Sequence, residues 1–163
     1  MRNHSLQKFF ALCGLIGAIM IASPRPSQAF LDKTRFATDL GVAFFVFHQW
    51  VYKPYRAGGF SAGAPHRTAA MVKGGAALLF ALNRVKAANR LAHTSKSPLL
   101  QRVAGSLDAM TASFSSVGQR LRGGHFNPAD ITGLKSTVDS VGSGAAAFLG
   151  HPVRDVAVPV PGG

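Results

Sequence analysis

The chain has 163 residues, with 18 lysines and arginines against six acids, one cysteine and a formal charge of +12. That length suits one domain, and a single cysteine excludes an internal disulfide, so packing or association must hold the fold. All six acids are aspartates, which leaves no glutamate for acid–base work, and the basic excess points to anionic partners.

Residues 1–29 read as an export signal. Arg2 and Lys8 precede the apolar run Phe9–Ala22, and Ser27, Gln28 and Ala29 offer the small residues a signal peptidase accepts. The run is shorter than the roughly 20 residues of a spanning helix, so cleavage near Ala29 is predicted over a retained anchor. Cys13, between Leu12 and Gly14, makes a poor lipid-attachment site. Cleavage removes Arg2, Lys8, Arg25 and Cys13 but no acid, so the charge falls from +12 to +9. The exported product therefore stays basic, and phospholipid head groups, acidic envelope polymers or acidic proteins are its default partners.

The remainder predicts an all-α fold over residues 30–150, a small three- or four-helix bundle, followed by an extended tail over 151–163. The first segment, Leu31–Tyr55, carries the densest aromatic cluster: Phe44, Phe45, Phe47, Trp50, Tyr52 and Tyr55. Its apolar stretch Leu40–Phe47 has strand-like content, but the flanking alanines and the continuation through Tyr52 favour a helix. Pro54 is expected to bend or end it.

After the small-residue connection 57–64, Pro65 predicts the first turn of a second helix reaching about Ala92. Met71, Gly75, Leu78, Leu82 and Val85 share one face of it, while Phe80 points elsewhere. Gly74 and Gly75 fall near its middle, either tolerated among alanines or required by close backbone packing. They do not make a phosphate-binding loop, because neither the glycine spacing nor the Lys-Ser/Thr pair is present.

Ser97 and Pro98 predict a cap and first-turn proline for a third helix. Leu100, Val103, Leu107, Met110, Phe114, Val117 and Leu121 then recur at spacings of three and four, an apolar seam ending at Gly123 and Gly124. Asn127, Pro128 and Asp130 mark the start of a fourth helix, with Asp130 read as part of the cap. Its seam is Ile131, Leu134, Val138, Val141, Ala145 and Phe148. The two seams predict an antiparallel C-terminal helical hairpin. Opposite them Ser106, Ser113, Ser116, Ser136, Ser140 and Ser143 form a small-residue surface, either solvated or suited to close association with a second copy. The Val/Pro alternation after His151 excludes a fifth helix and favours a disordered end over one docked on the bundle.

No catalytic, cofactor or metal site is predicted. His48, His66, His93, His125 and His151 lie in separate segments without metal-ligand spacing. His48 and Asp39 share a face of the first helix, but about 13 Å of axial rise separates them, which excludes direct pairing in a straight helix. No serine has a nucleophile-elbow context.

The candidate interface is Trp50, Tyr52, Lys53, Tyr55 and Arg56, interface-seeking aromatics beside two cations that suit an anionic lipid surface. The expectation is a non-enzymatic exported helical module, secreted or envelope-associated, that binds an anionic membrane surface or an envelope protein through this segment. One alternative is a small integral membrane oligomer. Another is a polyanion binder using Arg67, Lys73, Arg84, Lys86 and Arg90, which form two patches on the second helix, although nucleic acid is disfavoured because the basic residues are scattered through the helices without interleaved aromatics.

Overall fold

The computed structural model describes residues 28–159. The expected export signal therefore lies almost wholly outside the described residues. The bundle lies within one compact unit that begins at Asp32. Among the described residues every regular element is helical. The elements are α1 (Gln28–Phe47), a π-helical turn (His48–Tyr52), the short α2 (Lys53–Arg56), α3 (Arg67–Thr94), α4 (Pro98–Arg122) and α5 (Pro128–Leu149).

The α4 and α5 seams were read correctly. Leu100, Val103, Leu107, Met110, Phe114, Val117 and Leu121 are all buried, as are Ile131, Leu134, Val138, Val141 and Ala145. Phe148, the last position of the second seam, is half-buried and meets Phe36 edge-on at 5.7 Å between ring centres. Contacts between α4 and α5 run from Arg120 on Asp130, through the Ser106 and Ser140 hydroxyls, to Val103 against Gly144. At the head of α5 the Asn127 side chain accepts from the Ala129 amide at 3.0 Å, and Pro128 occupies the first turn. Gly150, at φ 83°, closes the helix with a left-handed residue.

One predicted helix start needs correction. Pro65 lies outside α3, in a turn that ends at His66 with φ 58°; a helix cannot pass through a left-handed residue, so it begins at Arg67. The start of α4 is as predicted, with Ser97 at the cap position and Pro98 in the first turn, although Ser97 makes no side-chain cap bond. Instead its amide donates to Ser95 Oγ at 3.0 Å, a local turn that sets the chain's entry into the helix.

Gly75 and Gly118 bring α3 and α4 to near backbone contact. A Cβ on Gly75 would fall 2.5 Å from the Arg122 nitrogen and 2.6 Å from the Gly118 carbonyl oxygen. Close packing, rather than tolerance among alanines, accounts for that glycine.

The C-terminal segment also departs from expectation. It is non-helical, as predicted, but residues 153–158 lie along α1 as a strap. The Val156 amide donates to the Gly41 carbonyl at 2.9 Å, Asp155 meets His48 at 2.8 Å, and Val153 and Val158 pack against the core. The approach is open only because Gly41 has no side chain: a Cβ there would collide with the Arg154 carbonyl oxygen and with Val156 Cγ2. Apolar valines at alternate positions and a bare helix backbone opposite them explain why the segment docks.

Candidate functional site

The aromatic–basic segment folds around Pro54. Proline has no amide hydrogen and its ring would strike the carbonyl four residues back, that of Trp50. The helix meets this demand by widening into the π turn His48–Tyr52, with Lys53 N–H bonding His48 O, and resumes as α2. Pro54 thus bends the first helix without ending it, and the helix stops at Ala57 before Gly58, whose φ is 77°. The Trp50 carbonyl oxygen turns toward α3, where a Cβ on Gly74 would lie only 3.0 Å from it. Gly74 therefore receives the carbonyl that Pro54 displaces.

The five candidate residues do not share one surface. Tyr52 and Tyr55 enter a ladder of rings. Phe47 stacks on Tyr52 at 5.8 Å, Tyr52 meets Tyr55 at 6.5 Å, Tyr55 meets Phe126 at 6.0 Å, and Phe126 meets buried Phe60 at 5.4 Å. Lys135 covers Tyr52 at 6.0 Å from the ring centre. These two tyrosines pack the bundle against the end of α4 and the start of α5.

Trp50 and Lys53 face the other way, toward α3. There Gln49, Trp50, Lys53 and Pro54 line one side of an open groove of about 360 Å³, and Ala70 and Lys73 line the other. The Lys73 ammonium lies 4.8 Å from the centre of the Trp50 ring, a cation–π contact between residues far apart in sequence. Trp50 Nε1 is buried and has no hydrogen-bond partner among the described residues. Arg56 is exposed beyond Lys53.

Only Arg84, Arg120 and Lys135 among the described lysines and arginines pair with a carboxylate, so the cations of this end, like most others, have none. Arg84 reaches buried Asp39 at 3.4 Å, His48 pairs with Asp155, His93 with Asp108, Arg120 with Asp130, and Lys135 with Asp139. Five of the six aspartates in the chain are therefore engaged, and none of them by Lys53, Arg56, Arg67 or Lys73. Arg67 donates instead to the Phe60 carbonyl at 2.9 Å, tying the 57–66 turn to α3.

His48 and Asp39 indeed take different partners, as the axial spacing required. Asp130 lies in the first turn of α5, but in place of a cap bond its carboxylate holds Arg120 across the α4–α5 loop at 2.9 Å. Asp108 likewise serves a connection between helices: Asn89 donates to it at 2.7 Å and His93 lies at 3.2 Å. The Asn89 hydrogen bond, followed by His93, holds the Asp108 carboxyl below its ordinary 3.8.

The five cations grouped as a polyanion surface are divided by these contacts. Arg67, Lys73 and Arg84 each make a contact within the fold, although Arg84 stays exposed, and Lys86 and Arg90 are exposed without an ion pair. Among the described residues no three His, Cys, Asp or Glu side chains gather to hold a metal, and no helix is long and apolar enough to cross a membrane.

Sequence reasoning missed Lys73 as a member of the site. Its only signal was adjacency to the Gly74-Gly75 pair, which marks where another backbone comes close. Comparison of the chain with protein-family models, with curated proteins and with solved structures found no match.

Proposed function

We propose that this chain is a non-enzymatic, exported helical module that settles on the anionic surface of the cell envelope through the end of the bundle around the π turn. One observation carries the reading: Lys53 and Lys73 flank Trp50 in one open groove, exposed Arg56 follows Lys53 in the same short helix, and none of the three pairs with a carboxylate. Cations without a carboxylate partner, beside an amphipathic indole, suit a layer of anionic head groups. The bundle serves as a rigid platform, with α4 and α5 read as an antiparallel hairpin. Successive contacts at Arg120–Asp130, Ser106–Ser140 and Val103–Gly144 support that arrangement.

Vesicle co-sedimentation tests the reading. The full chain should pellet with phosphatidylglycerol vesicles at low salt and remain in solution with phosphatidylcholine vesicles. Its binding should collapse at about 1 M salt, where the Debye length is about 3 Å. A Lys53→Gln, Arg56→Gln, Lys73→Gln variant with an unchanged circular dichroism spectrum should lose the binding. Equal binding to both lipids, or undiminished binding by the folded variant, overturns the proposal. Export is tested separately by the mass of the cell-produced protein, which should lack residues 1–29.

A further inference from the structure

We infer that the groove between the π turn and α3 is a binding site for a single anionic amphiphile, a medium-chain fatty carboxylate. Its head would sit between the Lys53 and Lys73 ammonium groups and its alkyl chain on Trp50, Pro54 and Ala70. The inference deepens the surface-binding reading and rests on the same cations.

Shape is the first argument. A side chain that anchors a protein in a bilayer protrudes, whereas Trp50 is half-buried and forms the wall of a concavity. At about 360 Å³ the groove falls at the small end of pockets that hold discrete ligands, about 300–1,000 Å³. Chemistry is the second. The wall is mostly apolar, the indole, a proline ring, the methyls of Ala57 and Ala70 and the lysine stems, with Gln49 its one uncharged polar side chain, so the body of the ligand is apolar.

The rim carries two ammonium groups and no carboxylate, so the head must be anionic. Lys73 already occupies a face of the Trp50 ring at 4.8 Å, which leaves an edge suited to a flexible chain more than a face suited to a stacked aromatic acid. The Trp50 carbonyl seated at Gly74 holds the two walls at fixed separation, so the site exists before the ligand arrives.

The chain has one tryptophan, so its fluorescence reports on this groove alone. Titration of the full chain with dodecanoate, kept below its micelle concentration, should give a saturable one-site change in emission. Dodecyl maltoside and dodecyltrimethylammonium should not. Lys53→Gln should weaken the affinity by at least about tenfold, the loss expected for one charge-assisted contact. Ala70→Leu, which fills the groove and keeps both cations, should abolish the change.

Absence of a saturable change, or an unaltered change in a folded Ala70→Leu variant, overturns the inference. Vesicle binding by the same variant separates the two readings. Retained vesicle binding with lost dodecanoate binding supports a groove that takes single amphiphiles, beside cations that also meet the vesicle surface. A wild-type chain that binds vesicles but never dodecanoate sinks the groove and spares the surface, and the reverse pattern sinks the surface and spares the groove.

Discussion

Substituting Gly75 by alanine opposes two effects of known sign. In an exposed helix interior the change gains about 1 kcal/mol of helix propensity. At Gly75, however, the added methyl would stand 2.5 Å from the Arg122 nitrogen and 2.6 Å from the Gly118 oxygen, both backbone atoms of α4 that cannot rotate away. Overpacking of a core costs about 1–3 kcal/mol, and two backbone collisions place this case near 3. The net expectation is a loss of about 2 kcal/mol, or about 4–8 °C in melting temperature for a chain of this size.

Gly105 and Gly133 provide the control, since a Cβ on either meets nothing within 4 Å. Alanine at those positions should stabilise by about 0.5–1 kcal/mol. Thermal and urea unfolding followed by far-ultraviolet circular dichroism would measure all three. If Gly75→Ala raised the midpoint as Gly105→Ala does, α3 and α4 would not cross at backbone contact and the reasoning would be refuted.

Gly41→Ala should leave α1 helical but release the strap, because its methyl takes the place of the Arg154 carbonyl and the Val156 side chain. Trypsin cleavage after Arg154 should accelerate and hydrogen-exchange protection of the Val156 amide should fall; unchanged protection would mean that the strap does not depend on that bare backbone. Asn127→Ala removes the acceptor for the Ala129 amide and should cost about 1 kcal/mol, read as a lower urea midpoint with the slope preserved. For Asp108, whose carboxyl is lowered by the Asn89 bond and then by His93, the associated stabilisation is complete above 3.8 and is lost as pH falls through the lower folded value. Carboxyl-carbon NMR should place the Asp108 midpoint below 3.8, and Asn89→Ala should move it upward; a midpoint indifferent to that substitution would contradict the assigned cause.

How much was legible depended on whether the determining interaction was local. The α4 and α5 seams and the Asn127 cap were readable because helical periodicity and first-turn chemistry involve residues a few positions apart. The π turn was not: Pro54 announced a bend, but whether the helix would stop or widen depended on whether a neighbour could accept the Trp50 carbonyl, and that neighbour is Gly74. The start of α3 was misplaced because proline suits both a helix's first turn and an ordinary turn, and the left-handed His66 decided between them. The candidate site was half legible. Adjacency grouped Trp50 with Tyr52 and Tyr55, yet the turn of the backbone sends the tyrosines to Phe126 and the tryptophan to Lys73.

The strap has a consequence for the order in which the molecule is assembled. Helices α3, α4 and α5 pack against sequence neighbours and can form as soon as each is made, whereas the His48–Asp155 pair joins positions 107 apart. Loop closure over such a span comes late in folding, after the local contacts that shorten it are in place. The Gly41 face of α1 must therefore wait, uncovered, while the helices pack, so seating residues 153–158 on it is a late step of folding.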